Sequence, residues 1–199
     1  MTQPDPDQRQ HLRRLMRTRR RALSPRQQRE ASRKLLANLS GLPVFRRARH
    51  IALYLPNDGE IDPTPVIELC WKLGKQTYLP VLHPIRHNRL WFVPYGRNTL
   101  MRRNIYRILE PSLMGVPRRP AQALDLVLLP LVAFDATGAR MGMGGGYYDR
   151  TFSFKQRKGP QGPKLIGLAH DIQRVESLAI ASWDIPLAGI VTDCRGYAL

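Results

Sequence analysis

Acidic residues, cysteines and long apolar runs are all scarce in this chain, and each shortage removes a class of protein. Only two cysteines occur in 199 residues, Cys70 and Cys194, and neither belongs to a disulfide framework or a Cys-x-x-Cys pair. Two unframed thiols point to a reducing compartment, so the expected location is the cytoplasm. No apolar run approaches the roughly 20 residues that cross a bilayer, and no membrane partner is expected. Residues 1–8 are polar, lack the apolar core of a signal peptide and are expected to form a flexible tail. The P-loop pattern and the Gly-x-Ser-x-Gly elbow are absent, which leaves P-loop and acyl-enzyme chemistry unsupported. His83 and His87 stand four apart, but Pro84 disfavours the helix that would align them on a zinc ion.

The acidic shortage has a second consequence. Fifteen Asp and Glu face 32 Lys and Arg, a net charge of +17, and arginine recurs every few residues from Arg9 to Arg33. Such a surface attracts polyanions, whether nucleic acid, nucleotides or acidic substrates. Charge alone does not choose among them.

What is present reads as one globular domain: 43% hydrophobic and 24% charged residues suit a packed core. Leu12, Leu15 and Met16 at helical spacing predict an amphipathic helix with a cationic face, within a helical segment over residues 9–40. Ser24-Pro25 restarts the chain as N-cap and first helical residue, Ala31, Leu35, Leu36 and Leu39 supply the core face, and Gly41-Leu-Pro43 ends the helix. Strands are predicted at Ile51–Leu55, Thr77–Leu82, Leu90–Val93, Leu124–Leu129 continuing through Val132–Phe134, Leu165–Ala169 and Gly189–Thr192. Pro80 suggests that the second strand lies at an edge or ends early. Helices are predicted after Asp62-Pro63, with Val66, Ile67, Leu69, Cys70 and Leu73 inward, and from Tyr147 into the 150s. Lys155 to Lys164 reads as a mobile surface loop. Strands alternating with helices predict a three-layer α/β/α fold with a mostly parallel or mixed central sheet.

The chemistry centres on Gly142-Met-Gly-Gly-Gly146, between a predicted strand and a predicted helix. Glycines allow positive φ and bring several N–H groups toward one point, a following helix adds its positive end, and Arg140 and Arg150 add two permanent charges. Those are the requirements for holding phosphate. The dinucleotide pattern fails here, because Tyr147 stands where its third glycine belongs. Tyr147 and Tyr148 offer flat faces to a heteroaromatic ring. Asp149 places a carboxylate beside the phosphate site, so either Arg150 pairs with it or Mg²⁺ lies between, with Asp184 as a candidate second ligand. Glu60, at the mouth of a strand, is a candidate substrate ligand.

Phe134-Asp-x-x-Gly-x-Arg-x-Gly-x-Gly-Gly-Gly-Tyr-Tyr-Asp-Arg150, Leu53-Tyr-Leu-Pro-Asn-Asp-Gly-Glu60 and Arg9-x-x-Leu-Arg13 together resemble the 5-formyltetrahydrofolate cyclo-ligase family over nearly the whole chain. The resemblance implies ATP-dependent closure of 5-formyltetrahydrofolate to 5,10-methenyltetrahydrofolate by phosphorylation of the formyl oxygen. It implies ATP binding by Arg9, Gln10, His11, Leu12, Arg13, Arg140, Met141, Gly142, Met143, Gly144, Gly145, Gly146, Tyr147 and Tyr148, with Arg140 and Tyr148 catalytic. Folate would face Leu55, Glu60, Met143, Gly144, Gly145, Gly146 and Tyr147, and Asp149 and Asp184 would hold Mg²⁺. Arg9 replaces a frequent lysine, and Met143 and Gly145 stand where some members carry basic side chains. A monomer acting on folates, polyglutamylated ones included, is expected. Two competing readings are a basic nucleic-acid-binding module and another ATP-dependent ligase or kinase on the same scaffold. No RRM, KH or helix-turn-helix signature supports the first, so nucleic acid is not an expected partner.

Overall fold

A computed structural model describes residues 5–113, 115–158 and 161–197. Helix α1 spans Pro6–Arg21, opened by the Asp5 carboxylate accepting from Asp7 N at 3.0 Å and by proline at the first turn. Residues 6–8, expected in a flexible tail, are helical, and 1–4 lie outside the described residues. Helix α2, Pro25–Ser40, begins with a reciprocal capping box in which Ser24 N donates to Gln27 Oε1 at 2.8 Å and Gln27 N to Ser24 Oγ at 3.3 Å. Pro43, expected only to end that helix, also starts the short α3, Pro43–Arg47.

Strand β1, His50–Ala52, is shorter than the apolar run suggested. Leu53 N still donates to Tyr78 O at 2.9 Å, after which the chain peels away into the loop that carries Leu55 and Glu60. Helix α4, Thr64–Lys72, buries Val66, Ile67 and Cys70, whereas Leu73, expected inside, is exposed beside the left-handed Gly74 stop. Then come β2, Gln76–Leu82, β3, Leu90–Pro94, and the hairpin β4, Met101–Arg103, with β5, Leu109–Pro111. Strand β6, Leu126–Pro130, is followed by β7, Ala133–Phe134, and β8, Arg140–Met141. Val132–Phe134 does not prolong β6; β7 and β8 form a hairpin of their own. Helices α5, Tyr147–Phe152, and α6, Phe154–Lys158, precede β9, Lys164–Ala169, β10, Gly189–Thr192, and β11, Gly196–Tyr197. The loop expected over Lys155 to Lys164 is thus helical in its first part.

Seven strands make the main sheet in the order β11-β10-β9-β6-β1-β2-β3. The five inner strands run parallel, and antiparallel β11 and β3 close the edges. Pro80 therefore sits in an inner strand, contrary to expectation. The bond from Leu53 N to Tyr78 O shows that Tyr78 turns its main-chain groups toward β1. Pro80, two residues on, faces the same side past the end of β1, where its missing N–H leaves no acceptor unmet.

Both sheet faces are covered, giving three layers. Leu126 and Leu128 pack with Ile51, Ile166 and Val191 under α2 and α4, while Val127 and Leu129 pack with Phe92, Phe152 and Ile190 on the opposite face. Helix α1 stands apart, burying Met16 against Val132, Ala133 and Met141 of the β7–β8 hairpin. From β1 the chain moves to β2 on one side, and from β6 to β9 on the other. The carboxyl ends of β1 and β6 thus flank the topological switch point, where open α/β sheets leave a crevice for ligands. No helix among the described residues is long and apolar enough to cross a membrane.

Candidate active site

Two loops leave the switch point, and α1 lies across both. After β6, the buried Asp135 shapes the β7–β8 turn. Its Oδ1 accepts from Thr137 N at 2.9 Å, Thr137 Oγ1 at 2.6 Å and Ala139 N at 3.1 Å, and its Oδ2 from Leu178 N at 2.9 Å. Burial alone would raise this carboxyl, but the hydrogen bonds outweigh it and hold the group below its ordinary range.

Strand β8 delivers Arg140, 8% exposed, to the base of the glycine turn. Its Nη2 donates to Asp149 Oδ1 at 2.6 Å and to Ile185 O at 3.1 Å, while its Nε is buried without a partner. Ile185 N returns to Asp149 Oδ1 at 3.1 Å, tying the segment that carries Asp184 to the same carboxylate. Asp149 pairs with Arg140 and not with Arg150, whose Nη1 folds back onto Gly145 O at 2.6 Å.

The turn itself bends through Gly144 at φ +101° and Gly146 at φ +65°, both in the region that side chains avoid. Among the described residues, no main-chain N–H from Gly142 to Asp149 donates to a protein acceptor. Helix α5 has six residues, so its dipole adds little; the turn amides themselves supply the anion-binding concavity. From α1, Arg13 Nε donates to Gly142 O at 3.0 Å and its guanidinium lies against Gly144. Burial, then the neighbouring Arg9, depress the Arg13 pKa, with Asp184 opposing them. Arg9 places Nη2 3.8 Å from Asp184 Oδ2, and its Nη1 is buried with no partner. Unmet donors on two arginines and a run of amides converge here, an arrangement that calls for an anion.

The face of α1 that carries these arginines turns inward, not toward solvent. Gln10 and His11 are exposed, and Leu12 packs with Met16. In the turn, Met143 is exposed and Met141 is buried under α1. Tyr147 is half-buried, its hydroxyl 2.8 Å from that of Tyr106, and burial followed by this bond pushes its phenol up to about 12. Tyr148 stacks on Phe152 with centroids 6.5 Å apart, and burial, then the charge of Glu60, raise its phenol while Arg140 opposes. Tyr148 therefore lies within reach of both loops' charges.

Glu60, in the loop after β1, is 12% exposed at its side chain and accepts from Asn57 N at 3.1 Å. Burial pushes its carboxyl up to about 7 against the pull of Arg20. Leu55 is half-buried against the α2 and α4 core. Sequence reasoning missed Arg20 and Asp58. Arg20 is wholly buried and donates to Asp58 Oδ2 at 2.9 Å, to Asp58 O at 2.8 Å and to Leu131 O at 3.2 Å. Its signal was its place four residues after Met16, on the stripe that α1 buries.

For a divalent cation the fit is partial but chemically suitable. No cluster of three or more His, Cys, Asp or Glu occurs among the described residues, so a cage built from protein alone is absent. Asp149 Oδ2 and Asp184 Oδ1 each remain without a protein partner among the described residues, and Mg²⁺ is commonly held by one or two carboxylates together with phosphates and water.

A sequence model of the 5-formyltetrahydrofolate cyclo-ligase family matches residues 5–193. The 5-formyltetrahydrofolate cyclo-ligase of Escherichia coli is 43% identical over 91% of this chain and 98% of its own, and that of Haemophilus influenzae 40% over 92% and 96%. The 5,10-methenyltetrahydrofolate synthetase of Aquifex aeolicus superposes with a TM-score of 0.79 at 30% identity, covering 95% of this chain and 91% of that one. The Mycoplasma pneumoniae synthetase shares the fold, with a TM-score of 0.72 at 24% identity. With the family model matched over residues 5–193 and curated relatives 43% and 40% identical along nearly its whole length, this chain belongs to the 5-formyltetrahydrofolate cyclo-ligase family.

Proposed function

We propose that the protein closes 5-formyltetrahydrofolate to 5,10-methenyltetrahydrofolate, converting ATP to ADP and phosphate. The observation that carries this is the convergence of unpartnered donors, Arg9 Nη1, Arg140 Nε and the turn amides, beside a carboxylate loop across the same crevice.

The chemistry follows from the substrate. A formamide oxygen is a poor leaving group, so it attacks the γ-phosphorus, and the bond to the bridging oxygen of ADP breaks. Nitrogen 10 then attacks the activated formyl carbon, the carbon–oxygen bond breaks, phosphate departs, and nitrogen 10 loses its proton to solvent. Phosphoryl transfer asks a protein mainly for alignment and charge stabilisation. Arg9, Arg13 and Arg140, with the amides of Gly142 to Tyr147, supply the charge and the cradle. Tyr148, whose phenol feels the charges of both Glu60 and Arg140, would face the transferring phosphoryl group. Glu60 accepts from the amino and ring N–H groups of the pterin, with Leu55 and Tyr147 against its apolar faces. Asp149 and Asp184 would hold Mg²⁺, which when bound offsets the charge of the phosphates. We place the protein in the cytoplasm as a monomer, with both thiols free.

The test uses substrate labelled with oxygen-18 at the formyl group. Purified protein, ATP and Mg²⁺ should produce the methenyl chromophore, and the label should appear in released phosphate. Chromophore without label in phosphate removes the phosphorylation step; no chromophore removes the whole reading.

A further inference from the structure

Helix α1 touches both halves of the crevice, and its second contact has no role in the chemistry above. Its N-terminal half reaches the phosphate turn through Arg13, whose Nε donates to Gly142 O at 3.0 Å. Seven residues on, about 10 Å along the axis, its C-terminal end is fastened to the loop after β1. Three arginines close on one carboxylate there: Arg17 Nε at 2.7 Å and Arg20 Nη2 at 2.9 Å from Asp58 Oδ2, and Arg21 on Oδ1. Arg20 also takes the Asp58 carbonyl and Leu131 O, the first residue past β6, so one guanidinium grips loops from both strands of the switch point.

Further contacts join the loop to the end of α1. Asp58 and Gly59 are both left-handed, at φ 55° and 74°, and a Cβ on Gly59 would lie 3.0 Å from Arg20 O. Gln28 Nε2 donates to Arg20 O at 3.2 Å and to Gly59 O at 3.3 Å, stitching the helix end to the loop. The next residue is Glu60, whose Oε1 lies 3.7 Å from Arg20 Nη2. A fully buried guanidinium is costly unless it is paired and hydrogen-bonded, and here each of its three nitrogens donates to a main-chain or carboxylate oxygen, two of them on the Glu60 loop.

We propose that Arg20 is a positioning residue that couples the two substrate sites: through α1, nucleotide held at Arg9 and Arg13 fixes the Asp58–Glu60 loop in the form that receives folate. This rests on the assignment of phosphate to the turn and of folate to Glu60. Coupling of this kind is reciprocal, and it is positive because the first ligand has already ordered an element that the second requires.

Calorimetry measures it on the intact protein. The affinity for 5-formyltetrahydrofolate is titrated with and without a saturating non-hydrolysable ATP analogue and Mg²⁺, in the native protein, Arg20→Lys and Asp58→Asn. In the native protein the analogue should tighten folate binding about tenfold. Both variants should bring that ratio close to one while the analogue alone still binds. Lysine keeps the charge but lacks the fork that holds three acceptors, so it should not rescue. Asparagine tolerates the left-handed backbone at position 58, so Asp58→Asn probes the same link from the loop side should the buried substitution fail to fold. A ratio near one in the native protein, or a native-like ratio in a folded variant, overturns the coupling. A native protein that forms product but shows no coupling refutes this inference alone, whereas one that binds neither ligand refutes the assignment of the sites beneath it.

Discussion

Arg140 and Asp149 meet across the base of the glycine turn, Nη2 to Oδ1 at 2.6 Å, and the same carboxylate oxygen accepts from Ile185 N. One residue from each end of the turn is thereby locked to the segment bearing Asp184. The pair sets the spacing between the phosphate cradle and the two carboxylates. Asp149→Asn keeps an oxygen for both donors but loses the charge beside the phosphates. Turnover should fall about 100-fold or more and the melting temperature should drop by several degrees, because the buried Arg140 loses its ionic partner; steady-state kinetics and thermal unfolding on one preparation will show both.

Arg13 is the α1 residue in direct contact with the turn. Hydrogen bonds to charged groups contribute about 1.5–3 kcal/mol, or roughly 10-fold to 100-fold in affinity. Arg13→Gln should weaken ATP by that factor and leave the affinity for folate alone unchanged. Equal losses for both ligands would argue against phosphate at this site.

The two glycines Gly142 and Gly144 separate backbone need from mere smallness. A Cβ on Gly142 meets nothing within 4 Å and φ there is ordinary, whereas Gly144 sits at φ +101° and a Cβ there would lie 3.5 Å from the central carbon of the Arg13 guanidinium. Gly144→Ala should cost about 1–3 kcal/mol of stability, a fall of several degrees for a domain of this size. Gly142→Ala should leave the melting temperature where it is.

What could be read from the chain was local. The N-cap at Ser24, the helix end at Gly41 and the turn from Gly142 to Gly146 depend on residues within a few positions, and they stand where the sequence indicated. Contacts across the chain were hidden. Arg20 reads as one more member of a basic face until Asp58, 38 residues away, is folded against it. Pro80 reads as an edge residue because its tolerance depends on where β1 stops. The strand predicted through Leu55 ends early because the loop beyond it is pulled to α1 by arginines and Gln28, which no pattern in Ile51–Leu55 reveals. Of the site, the turn and Glu60 were legible as motifs, while the inward face of α1 and the pairing of Arg140 with Asp149 required the fold.

Glu60 gives a pH dependence whose sign can be fixed. Burial lifts its carboxyl from an ordinary 4.5 to about 7, so between these values the folded protein holds a proton that the unfolded chain has released. Stability should therefore be highest below the lower value and decline as pH rises through the window, by about 3 kcal/mol in total. Glu60→Gln should flatten the slope in thermal unfolding between about pH 4.5 and 7. The ionised carboxylate is the form that accepts from the pterin, so kcat/KM for folate should rise through about pH 7 in the native protein and lose that rise in the variant.

The placement of the triphosphate is decided most directly by a crystal structure with a non-hydrolysable ATP analogue and Mg²⁺. Phosphate density against the amides of Gly142 to Tyr147, with Arg13 and Arg140 turned onto its oxygens, is the expected result. Nucleotide bound elsewhere, with the turn amides facing only water, would contradict it.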